Sequence, residues 1–259
     1  MTPSPTLHSL LALVLVAVVS GCASTQEYDE TRNWTAAKFY SEAKASLQAG
    51  EYEQAIKRYE TLESRFPYGR YAQQAQLEVA YAYYKFDEPD SAIAAIDRFL
   101  KINPLHPYVD YAMYLKGLAN FNRGVGFLDR WLEDTYSKRD QQAARQSYRD
   151  FEALIRKFPE SRYAADARQR LVYLRNTLAM YEVHVAEYYM KREAYIAAAN
   201  RARQVVQKYQ GTPALPEALM IMVKAYRALE MNNLAADAKR VLARNYPDRL
   251  PELEAESTK

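Results

Sequence analysis

A single cysteine, Cys22, is the whole thiol content of this 259-residue chain. One thiol closes no internal disulfide and builds no cysteine-rich zinc site. Histidine is almost as scarce: His8, His106 and His184 stand far apart. Neither H-E-x-x-H nor C-x-x-C occurs, so no metal centre is expected. Glycine is sparse, with 7 residues in all. None falls in a G-x-x-x-x-G-K-[ST], G-x-G-x-x-G or G-x-S-x-G pattern, which removes the phosphate-cradling loops and the nucleophile elbow. An excess of one charge is missing too. Against 35 Lys and Arg stand 32 Asp and Glu, a formal net charge of +3, too small and too scattered for a nucleic-acid surface. Carboxylates are plentiful but spread along helix faces as solvated charge. The expectation is a protein that is not an enzyme and holds neither metal nor cofactor.

What the chain has instead is a recurrence. Residues 71–104 hold two apolar-periodic halves broken at Asp87, Glu88 and Pro89. Leu77, Ala80, Tyr81 and Tyr84 share one helical face, as do Ala92, Ile96, Phe99 and Leu100. Two amphipathic helices joined by a tight turn cannot bury their apolar faces alone and need neighbours of the same kind. Ala80 recurs as Ala43, Gly117, Ala186 and Val223; Ala92 recurs as Ala55, Ser147, Ala198 and Ala235. The period is 37, with 18 extra residues inside the third unit and 14 between the third and fourth. Pro67, Pro104, Pro159 and Pro247 each close a unit 12 residues past its second small residue. Small residues belong where helices approach closely. A large aromatic of the first helix is replaced by Ser46 in unit one and Asn120 in unit three. The pattern resembles the tetratricopeptide repeat. The expected fold is all-α, a tetratricopeptide-repeat superhelix of about five helical hairpins.

The chain divides accordingly. Residues 1–21 read as a signal peptide and 22–33 as a polar tether. Residues 34–160 form an N-terminal half of three units, with an insertion at about 125–140 that mixes Phe127, Leu128, Trp131 and Leu132 with charge. Such an insertion sits on one face of a solenoid and is either a partner contact or a local cap. Residues 161–247 form the C-terminal half of two units, entered by some thirty residues of helical pattern without Pro or Gly. The polar, acidic tail 248–259 is expected to fray.

The leader carries the one covalent signal. Leu10 to Val19 is an apolar run of ten residues, too short to span a bilayer and right for the core of a signal peptide. It ends in Val19-Ser20-Gly21-Cys22, which looks like a bacterial lipobox. The n-region departs from the usual pattern in having no Lys or Arg before Leu10. A lipidated Cys22 would carry diacylglycerol on its thiol and an acyl chain on its amine. Each buried methylene adds about 0.8 kcal/mol, so the three chains together hold the protein on the membrane for practical purposes. Similarity to other lipoproteins implies that Ala23 directs the protein to the inner leaflet of the outer membrane, with its body in the periplasm.

What remains is binding. In such an array the first helix of each unit lines a concave face. The projecting positions are Tyr40, Lys44 and Leu47 in unit one. In unit two they are Leu77, Tyr81 and Tyr84, with Lys85 adjacent, and in unit three Tyr114, Leu118 and Phe121. An aromatic groove with lysines at its wall suits an extended peptide, rings taking apolar side chains and ammonium groups a carboxylate. Equally, the same rings can fill the space between helices and leave no groove.

The strings QLEVAYAYYK, AIDRFLKINPLHPYVDYAMYLKGL and RLVYLRNTLAMYEVHVAEYYMKREAYIAAANR carry a closer likeness. Together with the lipobox they resemble the BamD (YfiO, ComL) family, the tetratricopeptide lipoproteins of the outer-membrane β-barrel assembly machine. The resemblance spans nearly all of the mature chain and is weakest in the insertion. It implies a periplasmic scaffold whose C-terminal units dock the last POTRA domain of BamA. The N-terminal units would contact unfolded outer-membrane proteins through their aromatic-ended C-termini, and in some lineages the further lipoprotein BamC. It also places Asn200 and Arg201 at the BamA contact, where a guanidinium can pair with a carboxylate in bidentate fashion. The reading left open beside it is a different tetratricopeptide lipoprotein that binds peptidoglycan or cell-envelope enzymes.

Overall fold

The computed structural model describes residues 30–123 and 141–256. Cys22, the leader and the 125–140 insertion lie outside them. The chain separates into two compact units, Met1–Thr35 and Ala36–Lys259. Residues 30–35 of the first form a short turn, in which the Trp34 N–H donates to the Thr31 carbonyl at 3.0 Å.

The second unit is built from helices and short turns throughout its described residues. Its helices are α1 (Ala36–Ala49), α2 (Tyr52–Arg65), α3 (Arg70–Lys85), α4 (Pro89–Ile102) and α5 (Val109–Asn122). They continue as α6 (Gln142–Lys157), α7 (Ala164–Lys191), α8 (Tyr195–Lys208), α9 (Leu215–Ala228) and α10 (Asn232–Asn245). A 3-10 turn, Pro247–Arg249, leads into α11 (Leu250–Glu256). Each helix packs mainly on its neighbours in sequence, as a stack of hairpins must. The expected all-α repeat architecture is therefore observed.

The recurring small residues are where the hairpins close. Ala43, Ala55, Ala80, Ala92, Ser147, Ala186, Ala198 and Val223 are all 0% exposed, and Ala235 is 5% exposed. Gly117 is buried against α6. A Cβ there would lie 2.5 Å from the ring of Phe151. The Ser147 hydroxyl donates to the Gly117 carbonyl at 2.9 Å, so the two small positions of unit three touch directly.

Three residues past the first small residue stand Tyr83, Tyr189 and Tyr226, but Ser46 and Asn120 in units one and three. Both polar substitutes are buried, so each needs partners. The Ser46 hydroxyl donates to Gln54 Oε1 at 3.0 Å and accepts from the Arg58 guanidinium. Asn120 Nδ2 donates to Asp150 Oδ2 at 2.7 Å. Burial pushes the Asp150 carboxyl above its ordinary range, against the pull of Lys116.

The turns repeat as well. Seven residues past four of the first small residues stand Gly50, Asp87, Glu193 and Glu230, with φ of 80°, 62°, 58° and 60°. The next N–H reaches back five residues, as in Glu51 to Ser46, Ala194 to Tyr189 and Met231 to Tyr226. This is the Schellman closure, which needs a left-handed residue at that point.

The helical run expected at the junction is α7, one helix of 28 residues. The tail departs from expectation. Residues 250–256 are helical and Leu253 is 0% exposed, packed with Leu219, Met220, Val223 and Leu242. One leucine at the right place docks a segment whose mean composition reads as a loose end.

Candidate functional site

The first helices of successive units meet around a cleft of about 400 Å³. Tyr40 and Lys44 come from α1, Leu77, Glu78 and Tyr81 from α3, Tyr111 from α5, and Arg162 and Tyr163 from the entry to α7. His106 and Tyr108 on the loop before α5 complete the wall. The alternation of first and second helices brings these residues together: the helices that line the cleft are the first of their hairpins.

Aromatic rings dominate it. Tyr40 lies 5.5 Å from Tyr71 and 6.1 Å from Tyr59, and Tyr111 lies 5.5 Å from Tyr163. The His106 ring packs between Phe99, at 5.2 Å, and Tyr108, at 5.6 Å. Two cations sit among the rings. Lys44 Nζ is 5.6 Å from the Tyr40 ring centre and 3.7 Å from Glu78 Oε1. The Arg162 guanidinium covers Tyr163 at 4.8 Å and donates to its hydroxyl. Glu78 holds the Lys44 ammonium above its ordinary value. Burial, reinforced by Glu78, raises the Tyr40 hydroxyl, and burial raises Tyr111. Lys44 therefore stays charged at neutral pH while those two phenols stay neutral, ready to donate or accept. Such a cleft can hold an aromatic side chain against the rings and a carboxylate against Lys44 and Arg162.

Of the residues expected to project inward, Tyr40, Lys44, Leu77 and Tyr81 line the cleft. Tyr84 is a turn farther along α3, where its hydroxyl accepts from Asn122 Nδ2 at 2.9 Å. Lys85 is turned the other way, over the Tyr52 ring of α2 at 5.9 Å, because the last turn of α3 faces the preceding hairpin there. Tyr114 and Phe121 are packing residues. Tyr114 stacks on Tyr163 at 4.8 Å and donates to Asp166 Oδ2 at 2.7 Å. Burial raises its hydroxyl to about 12. Phe121 lies 5.7 Å from Tyr173 with the Arg170 guanidinium 5.0 Å above it. The start of α7 packs over both, so of the inward face of unit three only Tyr111, nearer the start of α5, reaches the cleft. Arg162, Tyr108 and Tyr163 escape the sequence pattern, since they stand in turns at the starts of helices and not at the projecting positions.

Arg201 and Asn200 lie on α8 in the C-terminal half. Asn200 is exposed, and its Oδ1 accepts from Arg203 Nη2 at 2.8 Å. Arg201 has an internal partner. Its Nη1 donates to Glu182 Oε2 at 3.0 Å, while Arg145 Nη2 donates to Glu182 Oε1 at 3.0 Å. The Glu182 side chain is 2% exposed, and the two arginines are 38% and 40% exposed. This triad ties α6, α7 and α8 together across the junction of the two halves. A buried carboxylate between two half-exposed guanidiniums is satisfied on both oxygens, and removing one arginine leaves it under-paired. The hydrogen bond to Glu182 raises Arg201 above its ordinary value. Glu182 has a signal in sequence: with Ala179, Val183 and Ala186 it is the charged member of an apolar stripe.

None of the described helices is long and apolar enough to cross a membrane. The family model described as YfiO, outer membrane lipoprotein, matches residues 32–242. Over 242 residues the chain is 48% identical to the outer membrane protein assembly factor BamD of Neisseria meningitidis serogroup B, covering 92% of this chain and 91% of that one. The BamD of Vibrio cholerae is 35% identical over 240 residues, 93% of this chain and 98% of its own. That of Xylella fastidiosa strain Temecula1 is 36% identical over 253 residues, 96% of this chain and 86% of its own.

Proposed function

The chain belongs to the YfiO family of outer membrane lipoproteins, and on that premise we propose that it is a non-catalytic scaffold for outer-membrane protein assembly. In this reading acyl chains on Cys22 hold it to the outer membrane, with the helical stack in the periplasm. The cleft between the first helices takes the C-terminal segment of an unfolded outer-membrane protein. The C-terminal half docks a POTRA domain of BamA. The role of assembly factor is carried by relatives named as outer membrane protein assembly factors, matched over 91% and 98% of their own length. The substrate role is carried by one observation, the tyrosine-walled cleft with Lys44 and Arg162 inside it.

The mechanism is positional. A β-barrel strand ending in an aromatic residue and a free carboxylate presents one ring and one anion, which are the two groups the cleft accommodates. Neutral phenols accept and donate along its backbone, and the stack of hairpins holds that end at a fixed distance from BamA. The test uses a labelled peptide with an aromatic last residue. Tyr81→Ala and Arg162→Gln should each weaken it roughly tenfold, about 1.4 kcal/mol, with helicity unchanged. Amidating the peptide should act like Arg162→Gln. Equal affinity for all of these would remove the cleft from the function. A photo-crosslinker at the exposed Asn200 should capture BamA in intact cells. Recovery of cell-wall components with no BamA would replace the docking assignment by another lipoprotein scaffold role.

A further inference from the structure

A second concavity, of about 260 Å³, opens between α6, α7 and the end of α8. It is lined by Arg145, Tyr148, Arg149, Arg175, Leu178, Lys208 and Tyr209. Four of these are cations, and no acidic residue is among them. Of the four, Arg145 has an acidic partner among the described residues, Glu182, which it shares with Arg201. Arg149 donates to the neutral Gln146 side chain. The Nε of Arg175 is buried with no hydrogen-bond partner among the described residues. Buried donors are satisfied in roughly nine cases of ten, and one left unpaired is destabilising. A chain with nearly balanced charge has no need to gather four cations in one small hollow. Their mutual repulsion opposes the packing unless something neutralises it.

We infer that this pocket binds a phosphate-class anion. A phosphate offers up to two negative charges and several acceptor oxygens in tetrahedral array. It can meet the Arg175, Arg149 and Lys208 donors together, where one carboxylate supplies a single charge and two oxygens. Tyr148 and Tyr209 add hydroxyls at the rim, and Leu178 gives an apolar floor for the group esterified to the phosphate. Because the pocket is built from both sides of the junction, bound phosphate braces the third unit against α8. The source is either a free phosphate ester or the headgroup of a lipid.

The full chain is titrated with inorganic phosphate and pyrophosphate, against sodium chloride and sodium acetate at matched ionic strength, with thermal unfolding as readout. Phosphate should raise Tm saturably, beyond both controls. Arg175→Gln should weaken the apparent affinity at least tenfold, and Arg240→Gln, on the exposed face of α10, should leave it unchanged. Should Arg175→Gln fold poorly, Arg149→Gln and Lys208→Gln give the same readout. Flotation of the Cys22→Ser chain, which has no thiol to acylate, with phosphatidylcholine vesicles, with and without phosphatidic acid, then separates the sources: phosphate-sensitive binding only with phosphatidic acid indicates a lipid, and phosphate binding without flotation indicates a soluble ester. An effect of phosphate no larger than that of chloride, or equal to that of acetate, overturns the proposal. So does an unchanged response in all three pocket variants.

Discussion

Replacing Gly117 by alanine sets two effects of opposite sign against each other. In the interior of a helix, alanine is favoured over glycine by about 1 kcal/mol, and Gly117 lies within α5. On propensity alone the change should stabilise. The added methyl, however, would lie 2.5, 2.6 and 2.9 Å from three atoms of the Phe151 ring. That ring is 0% exposed and has no free end to swing away. Overpacking of this kind costs about 1–3 kcal/mol. If α5 and α6 move apart to relieve it, the Ser147 bond to the Gly117 carbonyl lengthens, at a cost of about 1 kcal/mol. The steric side wins, and Gly117→Ala should destabilise by about 1–2 kcal/mol. Urea unfolding followed by helical circular dichroism measures the total. Hydrogen exchange at α5 and α6 amides reads the local part, which matters because a repeat array need not unfold in one step. Phe151→Leu in the same chain should cost less than the two changes summed, since the shorter side chain vacates the methyl's space. A gain of about 1 kcal/mol from Gly117→Ala alone would show that the close approach of α5 and α6 is not real.

Two further changes probe the ends of units. Leu253→Ala should remove about 2–3 kcal/mol of packing from a leucine that is 0% exposed. The loss is capped at whatever holds α11 down, so the sharper readout is proteolysis: cleavage in 250–256 should appear in the variant before any change in the rest of the chain. Glu230→Gly should raise stability by a few tenths of a kcal/mol up to about 1, because φ of 60° strains any residue with a Cβ. Lys224→Gly, at an ordinary helical position within α9, should lower it in the same urea titration.

Much of the fold was legible because a covalent period cannot be hidden by composition. Ala43, Ala80 and Gly117, at steps of 37, announce the contacts between hairpins before any side chain is placed. The site was legible only in part. Whether a ring on a first helix is groove or core depends on what covers it, and the first turns of α7 cover Tyr114 and Phe121. No periodicity signals that cover, since the insertion separates unit three's two helices. Arg162 and Tyr163 did leave a trace. Tyr71, Tyr108 and Tyr163 each stand four residues past a closing proline, and both Tyr71 and Tyr163 follow an arginine. That second register supplies Tyr108 and Tyr163 to the cleft wall and sets Tyr71 against Tyr40, which the projecting helix positions alone do not. Lys85 departs from the groove for the opposite reason: adjacency in sequence to Tyr84 says nothing of which side of α3 it leaves from, about 100° further round the axis.

The unbroken course of α7 gives its length an angular meaning. Each residue turns the chain by about 100°, so the 14 residues added at this junction amount to nearly four full turns, short by about 40°. The second half of the molecule thus leaves the junction in almost the orientation it would have had without them, displaced along the axis by about 21 Å. Deleting a single residue would swing every downstream surface by more than a quarter of a circle, whereas removing four would nearly restore its heading. The spacer behaves as a splined shaft: its extension can vary, but only in steps that keep the two ends facing the same way.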